Sequence, residues 1–139
     1  MIHFEFDEVK IADFEHSNVI RWIRQIAQDY QKQIGRINFV FCNDIKILEI
    51  NKQFLNHDYY TDIITFDYSE GEKISGDIYI SLDTVASNAA ELNTNLEEEI
   101  DRVMIHGILH LCGQSDKTEQ EKAIMTTKEN LALKKRLHR

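Results

Sequence analysis

The sequence predicts an α+β domain, roughly four strands in one mixed sheet with about five helices packed on it. Three observations lead there. Apolar residues alternate between a two-residue and a helical period along the chain, giving the order β-α-β-α-β-β-α-α-α. The 139 residues contain no proline, low-complexity run, internal repeat or evident linker, so one domain over 1–139 is the economical reading. No apolar run approaches the ~20 residues that span a bilayer.

Each element has its own signal. "IHFEF" (2–6) alternates like a strand. "HSNVIRWIRQIAQDYQKQIG" places Val19, Ile20, Ile23, Ile26, Ala27, Tyr30 and Ile34 at helical spacing, with Ser17 as N-cap and Gly35 as left-handed stop. "RINFVFC" (36–42) reads as a buried strand, and Asn43 caps a helix through about Leu55. "DIITFDYSEGEKISGDIYISL" holds two strands, near 63–68 and 77–82, around a glycine-containing turn. Asp83 caps a short helix across "TVASNAAEL". Asn95 opens a longer one with Glu98 at its third position, and Gly113 closes it. Thr118, with Glu121 three residues on, opens the last helix.

Sixteen Lys and Arg against 24 Asp and Glu give a net charge of −8. That balance counts against a broad electrostatic grip on nucleic acid, where phosphate neutralisation supplies most affinity. The C-terminal "KKRLHR" reads as cations complementing a helix dipole, with a local basic patch as the alternative. Two cysteines, Cys42 and Cys112, and an N-terminus without a signal core predict a cytoplasmic protein.

The chemistry concentrates in "HGILHLCGQSD" (106–116). Ile100, Val103, Met104, Ile105, Ile108, Leu109 and Leu111 occupy nearly every direction of the wheel, so the helix is central and mostly buried. His106 and His110 project from one stripe a turn apart, as two imidazoles on one metal ion require. Cys112 points to the opposite side and reads as core. Gly113 can turn the chain back so that Asp116 faces the stripe it left, and a carboxylate is an acceptable zinc ligand. The spacing alone leaves alternatives: two histidines bonded to backbone groups, and an Asp116 that caps the last helix with Glu119.

This stretch resembles the YbeY endoribonucleases, zinc-dependent factors of bacterial ribosomal RNA maturation, whose signature H-G-x-L-H-L-x-G-x-D-H is matched at His106, Gly107, Leu109, His110, Leu111 and Gly113. "TDIITF" (61–66) resembles the family's T-D-V-L-S-F, and "GDIYIS" (76–81) its G-D-I-x-I-S. The resemblance implies a single metallohydrolase domain over 1–139 and a single-strand-specific endoribonuclease of small-subunit rRNA 3′ end maturation and ribosome quality control. Implied with it are one Zn²⁺ per chain, and ribosomal RNA, ribosomal proteins and an assembly GTPase as partners. His106, His110 and Asp116 would act through the metal.

Two positions depart from the family. Its third ligand is usually histidine, where this chain has Asp116, and Ser115 stands at the family's aspartate. An arginine ahead of the T-D-V-L-S-F stretch corresponds to Leu55, which cannot donate to phosphate; Lys73, Lys117 or His57 could take over. Gly107 stands where H-E-x-x-H proteases carry their base, which argues against peptide hydrolysis. Asp77 either orients a ligand histidine through its free ring nitrogen or is a turn residue at a strand start. Asp62 reads as fixing its local turn, and "EEEID" (97–101) as a solvated first helical turn. Three function classes compete: the zinc endoribonuclease, a ribosome-associated assembly factor with a structural metal, and a 2-His-1-carboxylate iron enzyme.

Overall fold

The structure is a computed structural model describing residues 1–55 and 61–136. Its elements follow the expected order: β1 (Ile2–Phe6), α1 (His16–Asp29), β2 (Gln33–Cys42), α2 (Asp44–Ile50), β3 (Ile63–Asp67), β4 (Lys73–Ser81), α3 (Leu82–Glu91), α4 (Leu96–Leu111) and α5 (Glu119–Lys134). The four strands form one mixed sheet in the order β1-β2-β4-β3. β1, β2 and β4 run parallel, and β3 pairs antiparallel with β4. No helix among the described residues is long and apolar enough to cross a membrane.

Alternation along the strands sorts the two faces. Ile37, Phe39, Phe41, Ile74, Ile78 and Ile80 all point into the main core and are fully buried beside residues of α1 and α4. On the other face Cys42, Ile47, Ile50 and Ile64 form a smaller cluster with α2. Phe4 stacks on Phe39 at 5.4 Å between ring centroids, extending the main core to the sheet edge. α5 is tied to α1 by Trp22, whose Nε1–H donates to the Ala132 carbonyl at 2.9 Å.

Four local expectations are revised. α1 ends at Asp29, not at Gly35, because Gln31 itself adopts the left-handed conformation at φ 59°. Gly35 instead lies inside β2, at a bulge where a Cβ would come within 2.2 Å of Ser75 Oγ. α1 also starts one residue before Ser17, with Glu15 at its N-cap. α2 begins at its expected Asn43 cap but keeps α geometry only to Ile50, then widens into a π-helical turn over Asn51–Leu55. Ser81 rather than Asp83 caps α3; the Asp83 carboxylate accepts the Asp44 N–H at 3.0 Å, tying α3 to α2.

α4 packs closely on the side chains of β3 and β4. A Cβ on Gly107 would sit 3.1 Å from both Ile63 Cδ1 and Ile78 Cδ1. On β4, a Cβ on Gly76 would meet Leu111 Cδ2 at 3.0 Å and the Phe66 carbonyl oxygen at 2.5 Å. Both cysteines are free thiols and serve packing. Burial pushes Cys42 up to about 12 and Cys112 up to about 11.

Gly76→Ala drives its methyl into a carbonyl of the β3–β4 ladder, which cannot rotate away. The substitution is expected to lower unfolding free energy by about 1–3 kcal/mol, read from urea denaturation against the wild type.

Candidate metal centre

The centre is built from one helix, one turn and the helix after it. Asn95 caps α4 by accepting the Glu98 N–H at 2.7 Å. At the other end Gly113 takes φ 102° and closes a Schellman turn: its N–H bonds to His110 O at 2.9 Å, and Gln114 N–H to Leu109 O at 3.0 Å. α5 then opens with the expected capping box between Thr118 and Glu121. Thr118, not Asp116, is therefore the cap, and the Asp116 carboxylate is left to face α4.

His106 Nε2 and His110 Nε2 lie 3.0 Å apart, and Asp116 Oδ2 is 3.3 Å from the first and 3.4 Å from the second. The other ring nitrogens are engaged. His110 Nδ1–H donates to the Gln114 carbonyl at 2.9 Å, and His106 Nδ1–H to Glu129 Oε2 at 2.5 Å. A carbonyl can only accept, so the neutral His110 ring carries its proton on Nδ1 and turns a lone pair inward. Glu129 imposes the same tautomer on His106. In these neutral tautomers two imidazole lone pairs and a carboxylate oxygen converge, a donor set that could hold a cation.

The donor set fits a metal ion. Ligand bonds of ~2.0–2.1 Å in a tetrahedron place neighbouring donors about 3.3 Å apart, close to all three observed edges. His106, His110 and Asp116 bring three ligand atoms within 4.8 Å of one another. They could hold one ion and leave a fourth position open.

Glu129 is the functional residue that sequence reasoning missed. It is 7% exposed, on the α5 stripe between buried Met125 and Ala132, and Arg102 Nη1 donates to its second oxygen at 3.0 Å. A carboxylate at a core position of a helical stripe was the available signal. Burial works to lower the His106 pKa, but the hydrogen bond and charge of Glu129, with Asp116 and Asp62, outweigh it and leave the imidazole above its ordinary value. Lys128 Nζ donates to Gln114 Oε1 at 2.7 Å, bracing the turn that delivers Asp116.

Beside the donors opens a cleft of about 290 Å³, with Asp62, Glu99 and Arg102 among its walls. Here the "EEEID" expectation is corrected, since Glu99 and Asp101 are each only 5% exposed. Burial, the largest cause, raises the Glu99 pKa, with Asp62, Glu129 and Glu98 adding to it and Arg102 opposing. Asp62 does hold its local turn, through its carbonyl to Ser81 N–H at 2.9 Å and its carboxylate to Asn88 Nδ2 at 3.4 Å, but it also lines the cleft.

Asp77 does not orient a histidine. Its neighbours Gly76 and Ile78 meet Leu111 and Gly107 of α4, so strand alternation sends Asp77 to the opposite face, where it accepts from Asn38 Nδ2 at 2.9 Å. Leu55 ends the π-helical turn at 39% exposed. Lys73 is the exposed first residue of β4, away from the cleft walls, and Lys117 follows Asp116 exposed to solvent. His57 lies outside the described residues. Of "KKRLHR", Lys135 pairs with Asp29, and Arg136 stacks over Trp22 and lies 3.5 Å from Asp101. These cations are used within the fold; residues 137–139 lie outside the described set.

The chain matches the family described as Endoribonuclease YbeY over residues 1–136. Proteins named Endoribonuclease YbeY from Phocaeicola vulgatus and Bacteroides fragilis are 53% identical over 133 residues and 52% over 132. The alignments cover 96% of both chains in the first case and 95% in the second. The solution structure of TM1509 from Thermotoga maritima superposes with a TM-score of 0.71 at 28% identity, covering 98% of this chain and 89% of that one.

Two outcomes follow from this geometry. Glu129→Ala should weaken metal binding about 10–100-fold, with Glu129→Gln recovering part of the loss, measured by competition with a chromophoric chelator. Glu99 has a folded pKa above its unfolded one, so its contribution to stability is present at low pH and lost as pH rises through the folded value. Glu99→Gln should therefore raise Tm at pH 8, the gain shrinking as pH falls through the carboxylate range.

Proposed function

The chain belongs to the YbeY endoribonuclease family, and on that premise we propose that it is a zinc-dependent endoribonuclease cleaving single-stranded ribosomal RNA in small-subunit 3′ end maturation and ribosome quality control. The observation that carries the reading is the convergence of His106 Nε2, His110 Nε2 and Asp116 Oδ2 within 3.0–3.4 Å of one another. These residues would hold one Zn²⁺ per chain with an exchangeable position. When bound, the ion supplies a Lewis acid for a phosphodiester oxygen and acidifies a water for attack on phosphorus.

The chain's own groups set the conditions for that chemistry. Glu129 and the Gln114 carbonyl fix both imidazoles in the ligating tautomer. Arg102 Nη1 pairs with Glu129 Oε1 at 3.0 Å and holds that carboxylate in place beside His106. Asp116 brings a negative charge where the family usually has a neutral histidine, so the loaded site carries one positive charge fewer and acidifies water less. Gly107 offers no base, and its place against Ile63 and Ile78 gives it a packing role instead. With a net charge of −8, the protein would take its substrate on the cytoplasmic ribosome, delivered by ribosomal proteins and an assembly GTPase rather than by its own field.

The reading as an assembly factor with little cleavage has an observation in its favour. Leu55 stands at the family arginine, and Arg102, the one cation among the described residues of the cleft wall, is committed to Glu129 and Asn130. Incubating precursor small-subunit RNA with wild type and His110→Ala decides between them. Cleavage by the wild type that disappears in the variant is expected, together with zinc in elemental analysis of the wild type. Identical products from both proteins would remove the nuclease reading, and iron in place of zinc would move the site to the oxygenase class.

A further inference from the structure

The cleft beside the three donors contains a group that the proposed chemistry leaves unused. Glu99 lies seven residues before His106, on the same stripe of α4, and is 5% exposed. No described residue donates a hydrogen bond to its carboxylate or forms an ion pair with it. Its nearest cation, Arg102, gives its two terminal amines to Glu129 Oε1 at 3.0 Å and Asn130 Oδ1 at 2.8 Å. Its carboxylate opens onto the cleft, where a ligand bringing N–H or O–H groups could reach it.

The walls narrow the choice of ligand. At the end of the cleft away from the metal donors phosphate is disfavoured, because Asp62, Glu99 and Glu129 outnumber Arg102 there. A second ion cage is disfavoured as well: among the described residues the ligand atoms gathered within 4.8 Å are those of His106, His110 and Asp116, without Glu99. Ile63 and Val103 supply apolar surface between Glu99 and His106, and about 290 Å³ is ample for one aromatic heterocycle. Two apolar side chains beside carboxylates that can only accept suit a neutral nucleobase whose rim donates hydrogen bonds.

We propose that this cleft is a nucleobase pocket in which Glu99 accepts hydrogen bonds from the Watson–Crick edge of a guanine, so that the phosphodiester joined to that nucleoside lies at the metal donors. The proposal rests on the endoribonuclease reading for its choice of an RNA ligand. Guanine is the base whose edge offers two adjacent donors, N1–H and N2–H, to the two oxygens of one carboxylate. Uracil presents a single N–H between two carbonyl oxygens that the carboxylate repels. Adenine and cytosine offer an amino group beside a ring lone pair.

Titration of the metal-loaded protein with the 5′-monophosphates of guanosine, inosine and uridine, by heat or by NMR shifts, tests this. The three ligands share phosphate and ribose and differ at the base. Guanosine is expected to bind tightest, inosine, which lacks the N2 amine, several-fold weaker, and uridine weakest. Glu99→Gln should lose the preference for guanosine over uridine by about tenfold or more. Should that variant fail to fold, Glu99→Asp serves, with weaker guanosine binding in the same ranking. Equal behaviour of the three nucleotides, including no binding of any at millimolar concentration, overturns the proposal, as does an unchanged preference in folded Glu99→Gln. RNA cleavage assayed in parallel keeps the two readings apart. Cleavage without base preference removes the pocket and leaves the nuclease, whereas Glu99-dependent guanosine binding without cleavage does the reverse.

Discussion

The structure depends on how α4 is seated. A helix pressed against a sheet closely enough that Gly107 leaves only 3.1 Å for a Cβ beside Ile63 and Ile78 has little surface left for polar groups. What remains is one stripe carrying Glu99, Arg102, His106 and His110 along the edge of the core. Arg102, His106 and His110 on that stripe lie partly in water and partly in protein, where an unsatisfied donor or acceptor is costly. The rest of the domain supplies partners for it. α5 brings Glu129 and Asn130, the turn after Gly113 brings a carbonyl and Asp116, and the segment before β3 brings Asp62.

That seating makes the metal donors rigid before any ion arrives. Neither imidazole can flip without abandoning a hydrogen bond, and Asp116 sits on a short turn held between a Schellman closure and a capping box. Preorganised donors lose little freedom on binding, so the interaction energy of an ion taken up here would go into affinity rather than into ordering the site. Glu99 is the exception on the stripe, a carboxylate that opens onto the cleft with no hydrogen bond from a described side chain.

The features readable in the sequence were the local ones. Asn95, Thr118 with Glu121, and Gly113 announce helix ends through bonds that reach only three to five residues, and all act where expected. The pairing of His106 with His110 needed only the helical period. What stayed hidden needed knowledge of which surfaces meet. Asp77 lies on a strand whose alternation was visible, but the face that α4 would cover was not. Glu129 is 23 positions from His106 and reaches it only because α5 folds back across α4. Gly35 imitated a helix stop because glycine serves turns and crowded strands alike, and here the crowding by Ser75 decided. "EEEID" looked solvated because a helix dipole welcomes acids at its start, yet packing of the first turn buried two of them.

The two thiols give the site a further property. Thiolate is both the form of cysteine that captures zinc and the form that peroxide oxidises. With burial holding Cys112 at about 11, the thiolate fraction near neutral pH is about one in ten thousand. Cys112 directly follows the last turn of α4 but competes poorly for the ion, and Cys42, higher still at about 12, is sealed in the sheet. A centre ligated by nitrogen and oxygen, with its sulfur kept protonated, has no ligand that mild oxidants readily attack. Oxidative stress that strips zinc from cysteine-ligated proteins would leave these three donors chemically intact.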